Sequence, residues 1–241
     1  MKIIGLNTWG GRISQPLLEF FENYKDIDIF CLQEIYHEAT LDMVEEEYKE
    51  DSLNLFGDIQ SILEEHVGYF RPCVNGCYGL AVFVKDTITV QREGEVTIYD
   101  APDYKGGGNH SRNLQYIEFE KDKEKYVVVN VHGLWNGEGK SDSPSRLSQS
   151  ENIRNLVDSL EGSKIICGDM NLLPETESMK ILEKGMRNLI SEYKVSSTRS
   201  SLYKKPLKFA DYILVSPDLE VKDFKVLPDE VSDHLPLFLE L

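Results

Sequence analysis

Short β-branched and aromatic runs alternate with helical stretches from one end of the chain to the other, and this alternation limits the fold more than any other feature. Strands are expected at 2–7, 28–34, 79–85, 88–97, 112–119, 126–132, 164–169, 208–215, 219–226 and 236–241. Helices are expected at 15–24, 51–66, 144–161 and 176–184, with Pro144 in a first turn capped by Ser143 or Asp142. The strands from 79 to 132 follow one another without a helix, as in an antiparallel meander, while helices intervene in both flanking halves. A single parallel sheet does not accommodate that order. Two packed mixed sheets with helices on the outside do. At 241 residues, 41% apolar and 10% aromatic, the chain can bury a sizeable core and reads as one domain, 1–241. Two loops are long enough to be functional: 98–111, with Gly106, Gly107 and Gly108, and 133–143, with Trp135.

Composition excludes several classes. No apolar run approaches the roughly 18 residues of a membrane span, and Met1-Lys2 leads directly into a strand, so a soluble, unexported, cytoplasmic protein is expected. Cys31 and Cys167 sit inside apolar runs, and Cys73 with Cys77 forms a lone C-x-x-x-C; reduced thiols are expected. A formal charge of −16 argues against non-specific polyanion binding, which relies on Lys and Arg. It leaves a phosphate enzyme open, because a bound divalent cation can screen the substrate locally. Residues 38–65, with Glu45-Glu46-Glu47, hold much of the acidic excess and read as helices with solvated faces.

The apolar runs end in a recurring set of polar groups: Asn7, Gln33-Glu34, Asn130-Val131-His132, Gly168-Asp169-Met170-Asn171, Asp211-Tyr212 and Ser232-Asp233-His234. Carboxylate, imidazole and amide at so many strand ends point to chemistry on a phosphate. Glu34 closes its run, and Asn7 can lie beside it with an amide oxygen; hard oxygen ligands suit Mg²⁺. Taken singly, Glu34 reads as an ordinary ion-pair partner and Asn7 as a turn residue. Asp169 and Asn171, two apart, aim the same way in an extended chain and supply a water acceptor beside an amide donor, although G-D-x-N is also a good turn sequence. Asp233 and His234 share a site only if both precede the last strand. A carboxylate such as Asp211 would fix the tautomer of His234 and raise its pKa, and His132 offers a second donor. Carboxylates gathered in one cleft resist joint ionisation unless a metal and imidazolium are present. Zinc is disfavoured, since the histidines lack i, i+4 pairing and no thiolate stands near them.

In chain order, Leu6-Asn7-Thr8-Trp9-Gly10, Leu32-Gln33-Glu34, 79–85, Asn130-Val131-His132, Gly168-Asp169-Met170-Asn171, Asp211-Tyr212-Ile213 and Ser232-Asp233-His234 resemble the endonuclease/exonuclease/phosphatase superfamily. The resemblance spans nearly the whole chain. It implies the deoxyribonuclease I-like α/β/β/α sandwich and phosphoester hydrolysis dependent on Mg²⁺ or Mn²⁺. By position, Glu34 would be the main metal ligand, with Asn7 and Asp233 assisting; Asp169 would orient the water and Asn171 the phosphate. His234 paired with Asp211 would serve as acid/base or transition-state donor, and His132 would hold a phosphate oxygen. Leu-Asn-x-Trp-Gly followed by Gln-Glu-Ile-Tyr is closer to sphingomyelinase-like and bacterial members than to abasic-site endonucleases.

Arg112, Trp135 and Arg146, with Lys140 and Gln149, are candidates for a substrate wall, and loop packing explains them equally well. Arg199, Lys204, Lys205 and Lys208 form a basic cluster that suits a nucleic-acid backbone or plain solvation. The substrate is therefore expected to be a phosphoester, whether small molecule, lipid headgroup or nucleic acid, with no obligate protein partner indicated. A nuclease, or a binding module without turnover, are the competing expectations.

Overall fold

The computed structural model describes residues 1–46, 51–101, 103–104 and 106–241. Among the described residues, twelve strands form two six-stranded sheets. Across the first, the order is β11 (Asp223–Val226), β12 (Leu237–Glu240), β1 (Lys2–Asn7), β2 (Ile29–Tyr36), β4 (Tyr78–Lys85) and β3 (His66–Val74). Across the second it is β5 (Val90–Tyr99), β6 (Arg112–Lys121), β7 (Glu124–His132), β8 (Ser163–Asp169), β10 (Asp211–Val215) and β9 (Arg187–Asn188). Each sheet contains one parallel pair, β1 with β2 and β7 with β8, and is otherwise antiparallel. Helices α1 (Ser14–Asn23) and α2 (Leu55–Ile62) cover the first sheet; α3 (Pro144–Ser159), α4 (Glu177–Glu183) and α5 (Leu189–Glu192) cover the second. The result is the four-layer α/β/β/α sandwich.

Side-chain alternation builds these layers. Ile4, Leu6, Phe30, Leu32, Ala81 and Phe83 point outward onto Leu17, Phe20, Phe21, Leu55 and Ile59 of the helices. Their neighbours Ile3, Ile29, Cys31, Val82 and Val84 join the core shared with the second sheet. Strands covered on both faces read as nearly continuous apolar runs, which is why they stand out in the sequence. Gly5 permits a close approach between the sheets: a Cβ there would clash with the Cys167 sulfur. All four cysteines are free thiols. Among the described residues, no helix is long and apolar enough to cross a membrane.

Several expectations need correction. Within 51–66 the helix is only Leu55–Ile62, and His66–Val74 is an unforeseen strand. Pro72 and Gly68 obscure it in the sequence, and its edge position is what lets the sheet tolerate a proline. The apparent meander crosses between layers, since β4 lies in the first sheet and β5 in the second. Stretches 208–215 and 219–226 shorten to β10 and β11, and the small elements β9 and α5 were not anticipated. In the acidic stretch 38–65 the helical expectation holds only for α2; Glu47, with 48–50, lies outside the described residues.

Two caps place the loops around the site. Ser143 caps α3 by accepting from the Arg146 backbone at 3.3 Å, with Pro144 in the first turn. Asp142 instead holds the start of α4, accepting from the Glu177 and Ser178 amides at 2.8 and 2.9 Å.

Candidate active site

The polar strand ends converge at one end of the sandwich. In the second sheet, His132, Asp169 and Asp211 lie side by side, each in register with its neighbour on β7, β8 and β10. In the first sheet, Asn7 pairs with Gln33 at the same level. Gln33 and Asn130 turn inward and join the sheets beneath the site: Gln33 Nε2 donates to Asn130 Oδ1 at 2.6 Å, and Asn130 Nδ2 donates to the Leu32 and Ala81 carbonyls. These two amides are structural.

Glu34 does not close its strand. It sits inside β2 at a β-bulge, where the register with β4 shifts between Gln33 and Ile35, and its φ is 60°. A left-handed, non-glycine residue is uncommon, and a bulge re-aims its side chain out of the sheet's alternation. Thr8 secures this irregular backbone, its hydroxyl donating to the Gln33 and Glu34 carbonyls.

Asn7 Nδ2 donates to Glu34 Oε1 at 2.9 Å and to Asp169 Oδ2 at 3.1 Å, so one amide ties together carboxylates from both sheets. The Asn7 oxygen accepts from the Trp9 backbone, so Asn7 presents hydrogens to the cleft instead of the ligand oxygen expected of it. Asp169 Oδ1 accepts from the Asn171 backbone, and Asn171 adopts a φ of 51°. The turn expectation for G-D-x-N therefore describes the backbone, while both side chains still line the cleft.

Asp233 and His234 both precede β12, as their sharing of a site requires. His234 Nδ1 lies 2.8 and 2.9 Å from the two oxygens of Asp211, which also accepts from the Thr198 hydroxyl. Arg199 Nη1 contacts His234 Nε2. Arginine has no acceptor, so Nε2 holds a lone pair and Nδ1 carries the proton given to Asp211. His132 has the opposite tautomer. Its Nδ1 accepts from Arg112 Nη1 at 2.9 Å, leaving Nε2–H directed at Glu34 and Asp169, 3.7 and 3.9 Å away. One imidazole thus offers the cleft an acceptor and the other a donor.

Burial sets the charge states. It raises Glu34 to about 7, aided by Asp233 and Asp169 and opposed by the Asn7 bond. Burial raises Asp211 to about 6. It lowers His234 to about 3, with Arg199 adding to the effect, and holds His132 well below its ordinary value, with Arg112 adding. Asp233 and Asp169 pull the His234 pKa upward, in the direction expected of a carboxylate neighbour, but desolvation and Arg199 outweigh them.

The site opens into a cavity of about 330 Å³. Trp135, Lys140, Arg112, Tyr78, Tyr203 and Trp9 are among its walls. Glu45 joins two rims by accepting from the Tyr104 hydroxyl at 3.1 Å and the Gly107 amide at 2.8 Å. Arg146 is not part of the lining. Its guanidinium donates to the Ser141 and Gly139 carbonyls and to Asn136, so it shapes the loop that carries Trp135 and Lys140. Gln149 does likewise, accepting from the Leu134 amide at 2.8 Å.

The basic cluster divides. Arg199 and Lys205 face the cavity, whereas the Lys204 and Lys208 side chains are exposed. Arg199 thus belongs to the cleft as well as to the expected basic cluster, and Tyr78, Tyr203 and Glu45 join it without a sequence signal. No motif marks these positions; Arg199 stands directly after Thr198, and only the fold shows that this threonine reaches Asp211.

The donor set fits a hard divalent cation. Asp233 Oδ1 is buried with no hydrogen-bond partner among the described residues, and Glu34 offers a second carboxylate to the same cleft. Asp169, Asp211 and His234 also cluster, with ligand atoms within 4.8 Å of one another, but the last two already bind each other.

A family model described as the Endonuclease/Exonuclease/phosphatase family matches residues 4–234. The chain belongs to the endonuclease/exonuclease/phosphatase family. Members of this family are phosphoester hydrolases that generally use a divalent metal. Similar solved structures share the family's fold at low identity. One is a functionally unknown conserved protein from Enterococcus faecalis V583, at 18% identity and a TM-score of 0.76, covering 100% of this chain and 98% of that one. A mannosyl-6-phosphatase from Bacteroides thetaiotaomicron VPI-5482 gives 19% identity and 0.73, covering 100% and 98%. The human Nocturnin catalytic domain, with a bound sulfate anion, gives 20% and 0.66, covering 99% and 93%. Comparison with curated protein sequences finds no match.

Proposed function

We propose that this family member hydrolyses a small-molecule phosphoester by in-line attack of water, with Mg²⁺ or Mn²⁺ held by Glu34 and Asp233. The observation that carries the reading is the Asn7 amide shared by Glu34 and Asp169, with the Asp211–His234 pair beside it. Asp169 orients the water. When substrate draws Arg199 away from His234 Nε2, that nitrogen accepts the proton of the water, Asp211 stabilises the resulting imidazolium, and the proton is returned to the departing oxygen. His132 Nε2–H and the second amide hydrogen of Asn171 donate to phosphoryl oxygens that gain charge. A bound divalent ion supplies Lewis-acid stabilisation to those oxygens.

Residues 1–241 act as one domain in this reading, since both sheets supply the site. The bounded cavity and the net charge of −16 favour a compact substrate over a nucleic-acid strand. The mannosyl-6-phosphatase of the same fold supports a hydroxylated one. Four free thiols are in keeping with a cytoplasmic setting.

The test is hydrolysis of p-nitrophenyl phosphate and bis-p-nitrophenyl phosphate with Mg²⁺, Mn²⁺ or EDTA. EDTA abolishes turnover, and His234→Ala lowers kcat by roughly 100-fold or more. Metal-independent turnover, or equal rates in the variant, rejects the mechanism.

A further inference from the structure

Two buried cations at the phosphate corner are left over by the chemistry above. Arg199, with its side chain 8% exposed, stacks over Tyr203, its guanidinium carbon 4.1 Å from the ring centroid. Its Nη1 binds Asp233 Oδ2 at 2.9 Å and His234, while Nη2 has no hydrogen-bond partner among the described residues. Lys140 is 2% exposed and lines the same cavity. Its Nζ donates one hydrogen bond, to the Phe209 carbonyl at 3.1 Å, and its own carbonyl accepts from Leu173, so the residue is fixed with donors unspent.

We infer that Arg199 and Lys140 form a clamp for the terminal oxygen of a phosphomonoester, so that the site takes monoesters in preference to diesters. The inference rests on the phosphoester-hydrolase reading. A diester has two non-bridging oxygens and one negative charge. His132, Asn171 and a divalent ion already suffice for those. A monoester brings a third oxygen and, near neutral pH, a second charge, and these require further fixed cations. In a diester the second alkoxy group takes the place of that third oxygen, and it would press against two desolvated charges it cannot satisfy.

The cost of holding the cations together supports the same conclusion. Burial, with Arg199 adding to it and Asp169 pulling the other way, lowers Lys140 to about 8. An arriving dianion relieves that strain. Lys205 differs, lying 5.1 Å from the Trp135 ring centroid as a rim cation.

Calorimetry with orthophosphate, in EDTA and again with Mn²⁺, reads the clamp without turnover. Loss of a charge-assisted hydrogen bond predicts about 10- to 100-fold weaker phosphate binding in Arg199→Ala and in Lys140→Met. Kinetically, the wild type favours p-nitrophenyl phosphate over bis-p-nitrophenyl phosphate in kcat/KM, and each variant reduces that ratio about tenfold or more. A wild-type preference for the diester, or an unchanged ratio and unchanged phosphate affinity in both variants, overturns the inference. Lys140→Met carries the test alone if Arg199→Ala, which strands Asp233, fails to fold. If the wild type cleaves neither ester, the hydrolase reading fails, and orthophosphate binding still decides whether the clamp exists.

Discussion

Glu34 is a carboxylate on a left-handed backbone, facing two others. Its folded pKa is raised above the ordinary value to about 7. Above pH 7 the folded protein bears the full cost of that ionised group, and the cost is relieved as pH falls through 7 toward the unfolded value. Glu34→Gln is therefore expected to stabilise the metal-free protein at pH 8, by roughly 1–3 kcal/mol. Thermal melts in EDTA check this. Added Mn²⁺ should raise the melting temperature of the wild type and leave that of the variant nearly unchanged. A lower melting temperature for metal-free Glu34→Gln would mean that the carboxylate is structural.

At the level of elements, the 133–143 loop is held from below by α3. Arg146→Ala removes three hydrogen bonds to that loop without touching the cleft. The expected outcome is a rise in KM of about tenfold with a smaller change in kcat, measured on p-nitrophenyl phosphate, because Trp135 and Lys140 lose their positions. This residue also shows where the sequence stops being legible. An arginine near a candidate site reads as a substrate contact, and only the course of the loop reveals that its guanidinium faces backbone carbonyls. The strands β1, β2, β7 and β8 were legible because both faces are buried and a polar residue ends β1, β7 and β8 and interrupts β2 at Glu34. Strand β3 was not, since an edge strand is half exposed and carries Gly68 and Pro72. Asp169, Asp211, His132 and His234 were legible as types at strand ends. The tautomers of the two histidines depend on Arg112 and Arg199, which are 20 and 35 residues away from them in sequence.

Across the whole molecule, His66, His110, His132 and His234 are buried, and burial lowers the pKa of each. His110 and His234 fall to about 3. Between those values and the unfolded value of 6.5 the unfolded chain binds more protons, so stability is complete above pH 6.5 and declines as pH falls. Each such histidine contributes up to about 1.4 kcal/mol per pH unit. Glu34 and Asp211, raised to about 7 and about 6, act in the opposite sense but are outnumbered. Urea midpoints of the metal-free protein should fall steadily from pH 6.5 to 5. A flat profile would show that the histidines are protonated in the fold.

The bulge in β2 has a further implication for how this family member could lose its activity. Gln33 and Ile35 face consecutive residues, Leu80 and Gly79, so the codon between them is the one whose removal would heal the ladder. Excising Glu34 should give a regularly paired, soluble and fully inert variant, as resistant to heat as its parent or more so. In a deletion scan it would appear as a silent loss, invisible to any screen for folding and fatal in any screen for turnover.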